Sequence, residues 1–313
     1  MSSHQETADL SSRPDLNAPL GKLRSISKRS RPRAGGGLVT GLQLAPVCVF
    51  LSVFFIAPLA VFFLFSFWTT KNYNIVPDWT FGNYTGALSD DVYRTLLKNT
   101  LMVAGITSVT VVILAYSFAH ALRFHLQRWQ EPLLLLVVVA MFSGYLVRIF
   151  AWLTLLGDQG IINELLQSVG AINEPLSFLL FNRTAVIIVL TNFGVPLAIL
   201  PIYAALQNVQ DAEIEAARDL GCGAGTAFRR VILPLAWPGI FFAFALTFAI
   251  SAGDYVVPQM VGGASGTMVG KAIADTFNLA FDWPRGAALS FLTLGATMIV
   301  ILIVKTVGWR IVK

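Results

Sequence analysis

Glu215-Ala-Ala-Arg-Asp-Leu-Gly221, followed after a short basic run by Val231-Ile-Leu-Pro234, is a polar helix-forming loop between two long apolar segments. Asp211 is placed to cap the start of a helix, and Glu213 and Glu215 suit its electropositive first turn. Gly221 supplies the left-handed residue that ends such a helix. A second short helix is expected from about Thr226 to Ile232, stopping before Pro234. The loop, about 209–235, then presents one helical turn as a knob, with Ala216 and Ala217 small enough for a partner surface to approach closely. From these residues alone, a docking peg and an ordinary amphipathic hairpin between two membrane spans fit equally well.

The chain has 313 residues, 56% of them hydrophobic and only 12% charged, against roughly 25% charged in a soluble domain. With a mean hydropathy of +0.70, it reads as an all-α polytopic membrane protein. A spanning helix needs about 20 mainly apolar residues. Six stretches qualify, approximately 42–68, 99–122, 132–156, 184–208, 235–257 and 286–309. Each is apolar all round rather than along one stripe, which sets them apart from the core helices of a soluble bundle.

Lys and Arg fix the expected orientation. Arg13, Lys22, Arg24, Lys28, Arg29, Arg31 and Arg33 precede the first span. Arg123 and Arg128 follow the second, Arg218, Arg229 and Arg230 the fourth, and Lys305, Arg310 and Lys313 end the chain. The alternate segments hold Asp78, Asp90, Asp91, Asp158, Glu164, Glu174, Asp275 and Asp282 with few bases. Both termini and the Glu215 loop are therefore expected in the cytoplasm. Residues 1–37 are polar and rich in Ser, Arg and Gly, and read as a disordered basic tail ahead of a transmembrane domain at 38–313. The tail and first apolar run are too long for a cleaved signal peptide, so the first span reads as retained. The pI near 9.4 comes largely from this tail. Its bases lack aromatic interleaving, so the positive-inside bias and contact with the lipid bilayer explain them, and no nucleic-acid partner is expected.

Catalytic chemistry is hard to find. Cys48 lies inside the first span and Cys222 in the polar loop, so they cannot pair, and no metal-ligand spacing occurs. His4, His120 and His125 sit in the tail and near a membrane edge, without a nucleophile beside them. Gly266-Thr-Met-Val-Gly-Lys271 imitates a phosphate loop, but Ser265 stands where its first glycine belongs and Ala272 replaces the hydroxyl after the lysine. Gly221-Cys-Gly-Ala-Gly225 lacks the spacing and preceding strand of a dinucleotide fingerprint. No catalytic residue, metal or cofactor is assigned to this chain.

Ionisable groups inside spans cost about 2.5–3.5 kcal/mol even on mild insertion scales, and so mark candidate pathways. Tyr145, Arg148 and Trp152 fall in the third span, the last two four residues apart on one helix face. Asp254 and Tyr255 place a carboxylate beside an aromatic ring near the outer end of the fifth, a pairing suited to an organic cation. Snorkelling of Arg148 to headgroups, capping of a helix turn by Asp254, or an Arg148–Asp254 pair are equally open. Gly194, Pro196 and Pro201 are expected to interrupt the fourth span, which would then line the pathway.

The order Glu-Ala-Ala, three residues, Gly, nine residues, apolar-x-Leu-Pro closely resembles the EAA loop of the membrane subunits of binding-protein-dependent ABC importers. Val231 stands where that family usually has Ile. The resemblance implies a type I permease fold in a bacterial inner membrane, with Glu215, Ala216, Ala217, Arg218, Gly221, Leu233 and Pro234 forming the helix that couples to an ATPase. It also implies a second permease subunit, two ATPase subunits carrying ATP and Mg, and an external solute-binding protein. Tyr145–Trp152 with Gly160-Ile-Ile-Asn163, Leu200-Pro-Ile-Tyr-Ala-Ala-Leu206, and Gly253-Asp-Tyr-Val-Val-Pro258 with Gly262-Gly263 are similar to the spermidine/putrescine branch, over most of 42–309. A polyamine or similar organic cation is the solute this implies. The rivals are a gradient-driven secondary transporter, which would show matching broken helices in two inverted halves, and an intramembrane enzyme, which would need paired catalytic groups.

Overall fold

The computed structural model describes residues 45–312. The basic tail, 1–37, and the first residues of the 42–68 stretch lie outside them. Residues up to Pro58 group separately from the compact unit that begins at Leu59. Among the described residues, six helical stretches are long and apolar enough to cross a membrane: Ala45–Phe65, Asp91–Phe124, Tyr145–Ser168, Arg183–Gln207, Ala224–Gly253 and Trp283–Arg310.

Helix α1 (Ala45–Phe65) and a small antiparallel hairpin, β1 (Thr69–Lys71) with β2 (Asn74–Val76), open the chain. The hairpin turns on Asn72 and Tyr73, both at positive φ, in a two-residue loop whose twist suits paired strands. Helix α2 (Gly82–Ser89) leads to α3 (Asp91–Phe124), which starts well before the expected residue 99. Its polar first turns hid it from hydropathy. The Asp90 carboxylate caps them, accepting the Val92 N–H at 2.9 Å, and Tyr93 is buried against the last helix, its hydroxyl 3.2 Å from Thr293 Oγ1.

The expected 132–156 helix is two helices. Helix α4 (Gln130–Met141) stops at Phe142–Gly144, and the chain resumes as α5 (Tyr145–Leu156) and α6 (Ile161–Ser168). Between the last two the backbone turns so tightly that a Cβ on Gly160 would meet the carbonyl oxygens of Thr154 and Leu155 at 2.5 Å. Buried Asn163 fixes this turn, donating to Gly157 O at 3.0 Å and accepting the Leu176 N–H at 2.9 Å.

Helix α7 (Arg183–Gln207) runs unbroken through Gly194, Pro196 and Pro201, contrary to the expected interruption. The helix is packed closely on two sides along this stretch. The side of α7 at Gly194 fits against α3, where a Cβ would lie 2.9 Å from Val111 Cγ2. Helix α8 (Asp211–Asp219) and α9 (Ala224–Gly253) follow. Gly239 of α9 rides on α7, where a Cβ would be 2.5 Å from Pro201 O. Small residues at such crossings let helices gain dispersion contact where lipid supplies no hydrophobic drive.

Pro234 does not end a short helix either. The turn Phe228–Ile232 widens to a π-turn, the Leu233 N–H bonding to Phe228 O, and the helix continues. Ser52–Ile56 does the same ahead of Pro58, with the Ala57 N–H on Ser52 O. In both, the extra residue moves the carbonyl that a proline ring would crowd. Helix α9 ends at Gly253, short of the expected 257, and α10 (Val256–Val261), α11 (Val269–Asn278) and α12 (Trp283–Val312) complete the chain. One apolar core joins α3, α7 and α9 toward the Glu215 loop, around Leu122, Ile202, Leu206 and Ala236. A second, around Ile149, Val189, Leu190, Val257 and Met268, lies toward the opposite end.

Candidate functional site

The polar loop forms a compact cap on one end of the bundle. Gln210, rather than Asp211, occupies the N-cap of α8, in a capping box whose Glu213 carboxylate accepts the Gln210 N–H at 3.1 Å. Asp211 is drawn off to Arg123 at the end of α3, whose Nη2 donates to Asp211 Oδ1 at 3.0 Å and to Val209 O at 3.2 Å. Ile214 is the one buried residue of α8, and it enters the core beside Leu122 and Leu206.

Around Ile214 the rest of α8 is largely open. Glu215, Ala216 and Arg218 are exposed, Ala217 is half-buried, and Leu220 is 86% exposed, an apolar side chain held out at the helix end. Gly221 takes φ +82°, the left-handed conformation that stops the helix and that a side chain disfavours. Leu233 and Pro234 are half-buried where the π-turn enters α9, set back from the knob. A cleft of about 590 Å³ opens beneath α8, with Asp211, Glu215 and Arg218 on one wall and His120, Phe124 and His125 on the other.

A polar cluster occupies the other end. Tyr145 at the start of α5 donates its hydroxyl to Asp254 Oδ2, while Asp254 Oδ1 accepts the Val257 N–H at 3.0 Å. Asp254 therefore caps the turn into α10 and is bound to Tyr145, not to Arg148. The Arg148 guanidinium lies 5.3 Å over the Phe193 ring and donates to Ala140 O at 2.5 Å, across the break between α4 and α5. Phe193 also meets the Tyr145 ring edge-on at 5.3 Å. Trp152 packs instead against the apolar core, and Tyr255, 46% exposed, lines a 530 Å³ groove with Asn278, Ser290 and Thr297. The structure thus joins Tyr145 to Asp254 and sets Tyr145 and Arg148 on Phe193, with Tyr255 in the neighbouring groove and Trp152 in the apolar core that Tyr145 also borders.

Sequence reasoning missed Phe193 and the Arg123 clamp. An isolated phenylalanine in an apolar span carries no signal. Arg123 and Asp211 are 88 residues apart, and only the fold relates them.

Residues 37–311 match the family described as binding-protein-dependent transport system inner membrane component. The spermidine/putrescine transport system permease protein PotB of Haemophilus influenzae is 34% identical over 225 residues, 72% of this chain and 77% of that protein. PotB of Escherichia coli is also 34% identical, over 231 residues, 74% of this chain and 82% of its own length. In fold, the chain is similar to a permease chain of a bacterial alginate ABC transporter solved in complex with an alginate pentasaccharide-bound periplasmic protein, with TM-score 0.69, 15% identity, and 88% and 96% of the two chains covered. The chain, with six candidate spans among the described residues and an exposed EAA loop, belongs to the binding-protein-dependent family of ABC importer permeases. It is a transport subunit rather than an enzyme, and the gradient-driven alternative falls away.

Proposed function

We propose that this permease forms half of a pathway for a polyamine or similar organic cation, and that α8 is the helix through which a separate ATPase drives it. In this reading, Glu215, Ala216, Ala217, Arg218 and Gly221 meet the ATPase surface, and Leu233 and Pro234 set the angle at which the loop enters α9. The observation that carries it is the exposed surface of α8, held to the bundle by Ile214 and by Arg123 at its start, and ended by Gly221 at φ +82°. Two ATPases bind ATP and Mg, a second permease completes the pathway, and an external binding protein delivers the solute. The basic-segment bias supports cytoplasmic termini and an inner-membrane location with α8 facing the cytoplasm.

The substrate class rests on the similarity to PotB together with the Tyr145–Asp254–Phe193–Arg148 cluster. Asp254 offers a carboxylate bonded to Tyr145 and adjacent in sequence to Tyr255, a pairing of charge and aromatic rings that suits an ammonium group. Uptake of radiolabelled spermidine or putrescine by the assembled transporter tests this. Competition by other polyamines supports it, and indifference to them with uptake of an anionic or neutral solute overturns it.

A further inference from the structure

The long helix α3 touches both ends of the molecule. Toward the Asp254 end, Asn99 donates to Ser265 O at 3.2 Å and to Thr267 O at 2.6 Å, and Thr100 Oγ1 accepts the Val269 N–H at 2.8 Å. The segment so held runs directly against Asp254, since a Cβ on Gly270 would lie 2.8 Å from Asp254 O. At the loop end, Arg123 grips Val209 and Asp211. Asn99 and Arg123 are about 36 Å apart at 1.5 Å per residue. No proline interrupts α3, whereas α7 carries Pro196 and Pro201 and α9 carries Pro234 and Pro238. Of the three core helices, it is the one that links the two ends without a proline.

We propose that Arg123 is a positioning residue that sets the angle of α8 and carries movement of α3 into it. The geometry favours this over incidental surface pairing. The Arg123 side chain is only 14% exposed, and its guanidinium lies 5.0 Å over the Phe124 ring. It reaches a backbone carbonyl and a carboxylate at once, at the point where the chain leaves α7 for α8. Beyond this clamp and Ile214, α8 stands over the 590 Å³ cleft, which gives it room to rock. The clamp is therefore a pivot: Arg123 holds the start of α8 while its exposed end is free to follow a bound partner. A second, looser linkage would let the partner turn α8 without moving the bundle.

This inference rests on the proposed docking of α8 to an ATPase. The test is the ratio of solute imported to ATP hydrolysed by the complete transporter, with its binding protein, in proteoliposomes. Arg123→Gln is expected to copurify with the ATPase yet lower that ratio by about fivefold or more, the low end for an energetic coupling between two sites. Arg123→Lys, which keeps charge but loses the two-pronged donor, restores it in part. An unchanged ratio in Arg123→Gln overturns the proposal, as does loss of uptake and hydrolysis in step with lost protein. Should Arg123→Gln fail to insert, Asp211→Asn carries the same test at a position 64% exposed: a smaller fall is expected, and an unchanged ratio overturns it. The parent reading fails separately. If Glu215→Ala and Gly221→Val couple normally, α8 does not dock; if they are defective while Arg123→Gln and Asp211→Asn are normal, only the clamp is wrong.

Discussion

The Tyr145 hydroxyl donates to the Asp254 carboxylate across 109 residues of sequence, tying the start of α5 to the junction at which α9 gives way to α10. With the Val257 N–H on its other oxygen, each oxygen of Asp254 already holds one donor. A cation entering here must displace Tyr145 or add to a carboxylate already holding two donors. Asp254→Asn removes the charge and keeps the shape. A charge-assisted contact is worth roughly 1.5–3 kcal/mol, so the variant is expected to lose about one to two powers of ten in apparent affinity for a polyamine, with normal protein level and binding-protein docking. Saturation curves of uptake check this, and near-normal affinity would remove Asp254 from the solute's path.

Tyr145→Phe makes the opposite prediction. It deletes the hydroxyl, leaves the ring on Phe193, and frees Asp254 Oδ2. If that oxygen is what a cation seeks, apparent affinity rises, by up to about tenfold for one hydrogen bond no longer to be displaced. A fall in affinity with unchanged expression would show that the tyrosine itself holds the solute.

Orientation can be read from one thiol. Cys222 is half-buried just after α8, and Cys48 lies in α1. In sealed right-side-out vesicles, a membrane-impermeant maleimide is expected to leave Cys222 unlabelled until the inner face is opened. Labelling from outside would invert the assigned topology. Cys48, within a span, is expected to react slowly from either side.

Close packing of α7 is a stability claim. Gly194→Val would thrust a side chain into Val111 and Thr247, where a Cβ already meets methyl carbons at 2.9 and 3.5 Å. Overpacking of this kind costs about 1–3 kcal/mol. Thermal denaturation in detergent should show a lowered midpoint for Gly194→Val and a near-native one for Gly105→Val, since no neighbouring atom lies within 4 Å of a Cβ at Gly105.

Much of this architecture was legible because lipid imposes a length on apolar sequence. The second span began earlier than expected because Asp91, Arg94 and Lys98 interrupt its apolar run, and hydropathy cannot see that Tyr93 there packs on α12. The prolines misled in two ways. Pro234 follows a π-turn, as Pro58 also does, and so does not stop its helix, while Pro196 and Pro201 lie inside an α7 that runs on unbroken; one extra residue in a turn is invisible to a rule that reads proline as a stop. The break at Phe142–Gly144 escaped notice because its phenylalanine continues the apolar run. Within the candidate sites, Gly221 announced its left-handed backbone, and Asp254 announced itself as a carboxylate in a span. The partners that define their geometry, Tyr145 for Asp254 and Arg123 for Asp211, are set by tertiary contacts that no local spacing encodes.

The central claim is that α8 couples this permease to ATP hydrolysis, and one measurement reaches it directly: binding-protein-stimulated ATPase activity of the reconstituted transporter carrying Glu215→Ala or Gly221→Val. Glu215 presents an exposed charge at the mouth of the cleft beside α8, and valine at φ +82° would strain the backbone by about 1–3 kcal/mol and shift the helix end. Both variants are expected to insert at normal levels and to lose solute-stimulated hydrolysis and uptake together. Full stimulated hydrolysis and full uptake in both would contradict the claim and leave the loop a simple connector between two spans.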